Sequence, residues 1–160
     1  MRKQLGFTLV ELLLSITILA MLATLAAPLL GNTELFQLDV VNRLLVSDIE
    51  HAQILAITHP EDEIALIIEE DGNGWRICSL SDITTPLEDS ITGEPLALQF
   101  GLGPAASAPD VLITTDATNN IIAFDQNGGL SDFTQAIKVT LYCGENNFAV
   151  YISPTTGSIN

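Results

Sequence analysis

Four groups of residues in this 160-residue chain have types and spacings that invite chemistry. The run Glu69-Glu70-Asp71-Gly72-Asn73-Gly74 alternates carboxylates and an amide ahead of a glycine, as the opening of an EF-hand loop does. Such a loop needs a bidentate carboxylate at its twelfth position, which counted from Glu69 is Leu80. The same residues tolerate positive φ, so a β-hairpin turn is the better reading, with weak calcium binding left open. His51 and His59 lie eight residues apart on one expected helix, about two turns, too far to chelate one metal without help. His51 is expected on the solvated side and His59 at the helix end. Cys78 and Cys143 both fall in segments that read as strands. In an oxidising compartment a disulfide between them would close a long loop, stabilising by roughly 4 kcal/mol in the chain-entropy model. Two buried free thiols are the alternative. The fourth group is a single carboxylate, Glu11, inside an otherwise apolar stretch. No nucleophile elbow, phosphate-binding loop or dinucleotide fingerprint occurs. The expectation is therefore a non-enzyme with no metal and no cofactor.

Glu11 is the most informative of these residues because of what surrounds it. A basic hexapeptide, Met1 to Gly6, carries Arg2 and Lys3, and from Phe7 the chain is apolar for 24 residues to Leu30. As a helix that stretch would run roughly 36 Å, enough to cross a bilayer. Arg2 and Lys3 place the amino terminus in the cytoplasm by the positive-inside rule. A carboxylate in such a segment costs free energy, less near an end than at the centre, and calls for a partner or a function. If the chain were cut after Gly6, a new ammonium on Phe7 would lie four residues before Glu11, on the same helical face. Two blander readings exist. A secretory signal with a small-x-small site at Ala23 to Ala27 would release a soluble domain, and an ordinary signal anchor would explain length and orientation. Neither accounts for Glu11.

The octapeptide Gly6-Phe7-Thr8-Leu9-Val10-Glu11-Leu12-Leu13 resembles the signature of type IV prepilins and of the pseudopilins of type II secretion. The resemblance implies that a membrane-embedded prepilin peptidase cuts after Gly6 and methylates the new amino terminus at Phe7. It further implies that Glu11 registers an incoming subunit against its neighbour's amino terminus, and that Pro28 is the helix-bending proline.

Pro28 removes a backbone donor, and Gly31-Asn32 follows, which predicts a kink or local break. Leu38, Val41, Leu45, Ile49, Ala52 and Ala56 then recur at spacings of three and four, one apolar helical face, while Asp39, Arg43, Asp48 and Glu50 lie mostly off it. His59-Pro60 ends the run. Beyond it come short apolar runs punctuated by Gly, Pro, Asn and Asp. Strands are expected over Glu63 to Glu69, Trp75 to Ser79, Leu96 to Gly101, Val111 to Thr115, Ile121 to Asp125, Ile137 to Cys143 and Phe148 to Ser153. Trp75, the single tryptophan, is expected to fill the core between sheet and helix. The fold class is thus α+β and pilin-like: a long kinked amino-terminal helix, with a membrane half and an amphipathic half, packed on an antiparallel β-sheet domain. The expected parts are a leader over 1–6, a transmembrane and assembly helix over 7–30, an amphipathic helix over 31–59 and a periplasmic β domain over 60–160. Small residues late in the amphipathic stretch, a Gly-rich turn before Trp75, the run Ile122 to Gly128 and the ending Val150 to Gly157 resemble the GspH/FimT group of minor pseudopilins and pilins.

Charge narrows the partners. The chain carries 20 acidic and five basic residues, a formal net charge of −15, and loss of the leader would remove two of the five. Phosphate backbones repel such a surface, so no nucleic acid is expected. The reading from sequence is a minor pseudopilin of a type II secretion pseudopilus, held in the bacterial inner membrane with its carboxy-terminal domain in the periplasm until it is extracted into a filament. Its implied partners are the prepilin peptidase, other pilins or pseudopilins, an inner-membrane assembly platform and membrane lipid. The alternatives are a minor type IV pilin for adhesion, motility or DNA uptake, and a non-polymerising membrane-anchored binding module.

Overall fold

The computed structural model describes residues 8–26, 33–132 and 134–160. It divides into two compact units, Met1–Thr33 and Glu34–Asn160. In the first, helix α1 (Leu9–Ala26) has 18 residues. In the second, helix α2 (Thr33–Thr58) precedes seven strands: β1 (Ile64–Ile68), β2 (Gly74–Ser79), β3 (Ala97–Gln99), β4 (Leu112–Thr115), β5 (Ile121–Ala123), β6 (Ile137–Cys143) and β7 (Asn146–Ile152).

The strands form two antiparallel sheets, ordered β3-β2-β1-β5 and β4-β6-β7. Each falls on a segment marked in the sequence by an apolar run between turn residues, although β2 begins one residue before the expected start, at Gly74, and β7 two before it, at Asn146. The β1–β2 turn is the acidic run considered above as a calcium loop. Glu69 N–H donates to Gly74 O at 3.1 Å, Gly72 N–H to Glu69 O at 2.9 Å, and Asn73 N–H to the Asp71 side chain at 3.0 Å. The turn also ties the two sheets together, because Ile113 N–H in β4 donates to Gly72 O at 2.9 Å. Gly72 has φ +69°, and a Cβ there would stand 2.8 Å from Ile113 O, so both conformation and space call for glycine.

The core lies between α2 and the inner faces of both sheets. Leu38, Val41, Leu45, Ile49, Ala52 and Ala56 are all buried, and they pack with Ile64, Leu66, Ile68, Trp75, Ile77, Ile113, Ile122, Leu141 and Val150. A fully buried Leu or Ile contributes about 1.5–3 kcal/mol relative to exposure, so this seam dominates the stability of the unit. Trp75 is buried and meets Phe100 edge to face at 5.6 Å between ring centroids.

Polar side chains on α2 tie it to strands and loops far away in sequence. Asn146 Nδ2 donates to Glu34 Oε2 at 2.6 Å. Asp110 N–H donates to Gln37 Oε1 at 3.2 Å, and Gln37 Nε2 donates back to Asp110 Oδ2 at 3.3 Å. Gln53 Nε2 donates to Gly157 O at 2.7 Å. Trp75 Nε1–H donates to Asp48 Oδ2 at 2.7 Å, which satisfies the indole as it is buried. Asp48 was expected mostly off the buried face; it is half-buried because the indole needs an acceptor at the edge of the seam.

The disulfide allowed by the sequence is not formed: Cys78 and Cys143 are both free and buried. The reason is strand parity. In β2, Trp75 and Ile77 face the main core, so Cys78 points to the opposite face, where it packs with Ala65 and Ile67. Cys143 ends β6 inside the main core. Burial pushes both thiols above their usual pKa, which keeps them protonated and unreactive.

Two predictions follow from this packing. Prepared without reductant, the denatured chain will take up two equivalents of maleimide by intact mass, whereas the native chain will label slowly; no uptake after denaturation would mean that the cysteines are bonded. The second concerns Asp48, whose carboxyl is raised above its usual range chiefly by burial, with the Trp75 hydrogen bond and His51 opposing. Because its folded pKa exceeds the unfolded one, near 3.9, no stability is lost below that value, and stability falls as pH rises through the folded pKa. Asp48→Asn keeps an acceptor and cannot ionise. Its stability relative to the natural chain, measured by denaturant unfolding, will increase from about pH 4 to about pH 7; a pH-independent difference would refute this assignment.

Candidate functional site

Gly6, Phe7 and Pro28, three residues singled out in the sequence, lie outside the described residues. Glu11, the fourth, is in the first turn of α1. The Thr8 backbone N–H donates to Glu11 Oε2 at 2.9 Å, the Thr8 hydroxyl donates to the same oxygen at 2.8 Å, and Glu11 N–H donates to Thr8 Oγ1 at 3.3 Å. This reciprocal arrangement is a capping box, in which side chains satisfy amides that the first helical turn leaves without carbonyl partners. The carboxylate also sits where the positive end of the helix dipole favours an anion. Thr8-Leu9-Val10-Glu11 carries the S/T-x-x-E spacing of such a box.

The rest of α1 follows the same economy. Ser15 Oγ donates to Glu11 O at 2.7 Å, and Thr17 Oγ1 donates to Leu13 O at 2.7 Å and to Leu14 O at 2.9 Å. These hydroxyls are satisfied within the helix, which presents Leu9, Val10, Leu12, Leu13, Leu14, Ile16, Ile18, Leu19 and Leu22 as exposed apolar side chains on every side. A helix that is apolar all round belongs in lipid or against other helices. Among the described residues no helix is long and apolar enough to cross a membrane. The 18 residues of α1 extend about 27 Å, against roughly 30 Å of hydrocarbon. The span of 24 residues read from the sequence needs Phe7 and 27–30, which lie outside the described residues.

Away from α1, the basic residues of the globular unit are dispersed. Arg43 pairs with Asp39 at 3.0 Å along α2, Arg76 pairs with Glu69 across the β1–β2 hairpin, and Lys138 sits over the Tyr151 ring at 5.9 Å. No basic patch forms from them. His51 is half-buried rather than solvated, and it lines one cavity with His59, Asp62 and Asp89.

The cap itself is open to test. Thr8→Val is nearly isosteric and removes the hydroxyl from both of its hydrogen bonds, at a cost to the helix start of about 1 kcal/mol. Amide exchange of residues 9–12 in detergent micelles will quicken about fivefold, while Thr8→Ser will leave it unchanged; equal exchange in all three chains would exclude the cap as a stabilising contact.

Residues 1–27 match the family model described as the prokaryotic N-terminal methylation motif. No curated protein matches the chain. Among solved structures, the crystal structure of the type IV minor pilin FimU of Pseudomonas aeruginosa (strain PAO1) is similar, with a TM-score of 0.51 at 17% sequence identity over 76% of this chain and 89% of that one. At that identity the likeness speaks for the fold. With a methylation motif at its amino terminus and a helix packed on antiparallel sheet in the manner of a minor pilin, the chain is pilin-like.

Proposed function

We propose that this protein is a minor subunit of a pilus-like filament, a structural role without catalysis, and that its machine is a type II secretion pseudopilus. The observation that carries the proposal is the matched amino-terminal motif, in which Glu11 in the first turn is the one charged residue of a helix whose large apolar side chains face outward and whose Ser15 and Thr17 hydroxyls are turned onto its own carbonyls. On this reading the prepilin peptidase cuts between Gly6 and Phe7 and methylates Phe7. The helix then anchors the subunit in the bacterial inner membrane, with the acidic domain in the periplasm, until an assembly platform inserts it among other pilins. Glu11 then meets the amino-terminal ammonium of Phe7, its own or a neighbour's, a pairing that offsets the cost of a carboxylate in apolar surroundings. Pro28 supplies the bend. The likeness to a type IV minor pilin supports a second reading, in which the same subunit serves a type IV pilus.

Co-expression with a prepilin peptidase provides the test. The mature chain will begin at Phe7 and carry one added methyl group by intact mass. Glu11→Ala will still be cut, but it will remain in the membrane fraction instead of entering sheared filaments. A mature start near Pro28 would exclude the prepilin route, and normal incorporation of the Glu11→Ala chain would remove Glu11 from the assembly mechanism.

A further inference from the structure

We propose that the loop 87–96 and the cavity between it and α2 form a docking site for another protein that presents a lysine beside an apolar residue. The lysine enters the cavity and the apolar residue meets Ile91. This goes beyond the filament reading and does not rest on it.

The loop is built to hold one shape. At its base Leu96 N–H donates to Leu87 O at 2.6 Å, Leu87 N–H donates to Ile77 O in β2 at 2.8 Å, and Asp89 N–H donates to Glu94 O at 2.8 Å. At its tip Gly93 N–H donates to Asp89 O at 2.8 Å, and Asp89 Oδ1 accepts from the N–H groups of Ile91 and Thr92, each at 2.8 Å. On this tip Ile91 is 91% exposed, more than any other large apolar side chain among the described residues. A lone exposed apolar residue is ordinary in itself. Held on a fixed tip, it offers contact area without the ordering cost that binding imposes on a flexible loop.

The cavity beside the loop has a volume of about 210 Å³, and no residue beyond Leu96 lines it. Its lining divides by depth. Leu55, Ile64, Leu87 and Leu96 are buried or half-buried and belong to or pack against the main core, whereas Asp62 and Glu88 are exposed at the rim. A lysine has the matching division, an apolar stem that covers apolar surface and an ammonium that keeps to a polar rim. The volume lies below the roughly 300–1,000 Å³ of small-molecule pockets, which suits one long side chain better than a free ligand. His51 lines the cavity too, and its ring makes no hydrogen bond to a described residue. A neutral imidazole can accept one from an ammonium.

Charge selects the occupant. Three carboxylates, Asp62, Glu88 and Asp89, line the cavity without a Lys or Arg among them. Neither Asp62 nor Glu88 accepts a hydrogen bond or pairs with a cation among the described residues. The Asp89 carboxyl is held below its usual range by the backbone N–H groups of Thr92 and Ile91, with His51 adding to the effect, so it stays ionised. The basic side chains of the globular unit are engaged elsewhere, Arg43 on Asp39, Arg76 on Glu69 and Lys138 over Tyr151, so the missing cation comes from outside. A second copy of this chain would bring a net charge of −15 to an acidic site with those same side chains engaged. A basic partner is steered toward it, and one ammonium seated among carboxylates over an apolar floor, with Ile91 alongside, has the make-up of an interface hot spot.

The experiment uses the full chain in non-ionic detergent micelles and a dye-labelled heptapeptide with one lysine between two leucines, followed by anisotropy against protein-free micelles. Saturable binding is expected. Replacing the lysine by norleucine, which keeps the stem and drops the ammonium, will weaken binding about tenfold without altering the protein. Asp62→Asn combined with Glu88→Gln will weaken it about as much, whereas Glu70→Gln combined with Glu145→Gln, an equal change of charge on exposed turns elsewhere, will leave it within about twofold. Ile91→Ser will weaken binding about threefold. Absence of saturable binding, equal binding of the norleucine peptide, or equal loss in the two double variants would overturn the proposal. Self-association in sedimentation equilibrium that Ile91→Ser abolishes would overturn it in favour of a second copy.

Discussion

The globular unit depends on a single constraint: one stripe of α2 must be buried against two sheets that share no strand. Leu45, Ile49 and Ala52 are wholly inaccessible, and the strands around them are short, with only three residues each in β3 and β5. Strands of that length have little stability alone, so the helix supplies the apolar surface that holds them in one structure. Ala52 and Ala56 continue the buried stripe through the later turns of α2. The polar ties from Glu34, Gln37, Asp48 and Gln53 then fix the helix in rotation and register. Hydrophobic burial is non-directional and cannot do this.

Burial on both faces of β1 follows from the same arrangement. Ile64, Leu66 and Ile68 face α2, while Ala65 and Ile67 join Cys78 in a smaller cluster on the far side. A central strand covered on both faces reads as a continuous apolar run, as Ile64–Ile68 does. Alternation in β2 sends Trp75 and Ile77 inward and Arg76 and Cys78 outward, which puts the two thiols in different clusters. Arg76 reaches back to Glu69 over that outer face, so the ion pair and the buried thiol share one environment.

What was legible in the sequence is what local pattern encodes. The spacing of three and four from Leu38 to Ala56 marked the buried stripe residue by residue, and each strand announced itself by a short apolar run between turn formers. The hairpin at Asp71 to Gly74 was readable for the same reason. Contacts that join distant residues were not. The pairs made by Asp48, Gln37 and Glu34 span from 27 to 112 positions, and no periodicity reports them. The side of the sheet on which Cys78 would lie also needed strand pairing, since parity in β2 has meaning only once Trp75 is known to face α2. Thr8 and Glu11 differ from these cases. Their spacing was a local signal, overlooked because a carboxylate among apolar residues draws attention to its charge before its geometry.

That geometry bears on how an apolar helix can be both anchored and specific. In lipid, apolar side chains gain little by exchanging acyl chains for another helix, so a uniformly apolar surface such as that of α1 associates without much preference. Ser15 and Thr17 add none, because their hydroxyls are turned back onto the helix's own carbonyls. On the proposed reading, specificity then resides in the polar group at the helix start. Glu11 is held by Thr8 in an orientation that leaves its second carboxylate oxygen without a hydrogen bond among the described residues, as both bonds from Thr8 end on Oε2. One oxygen stabilises the helix start while the other can accept from an ammonium. On the proposed reading, the cap keeps the subunit's own helix intact while the free oxygen recognises a processed amino terminus, and recognition need not unwind the helix that carries it.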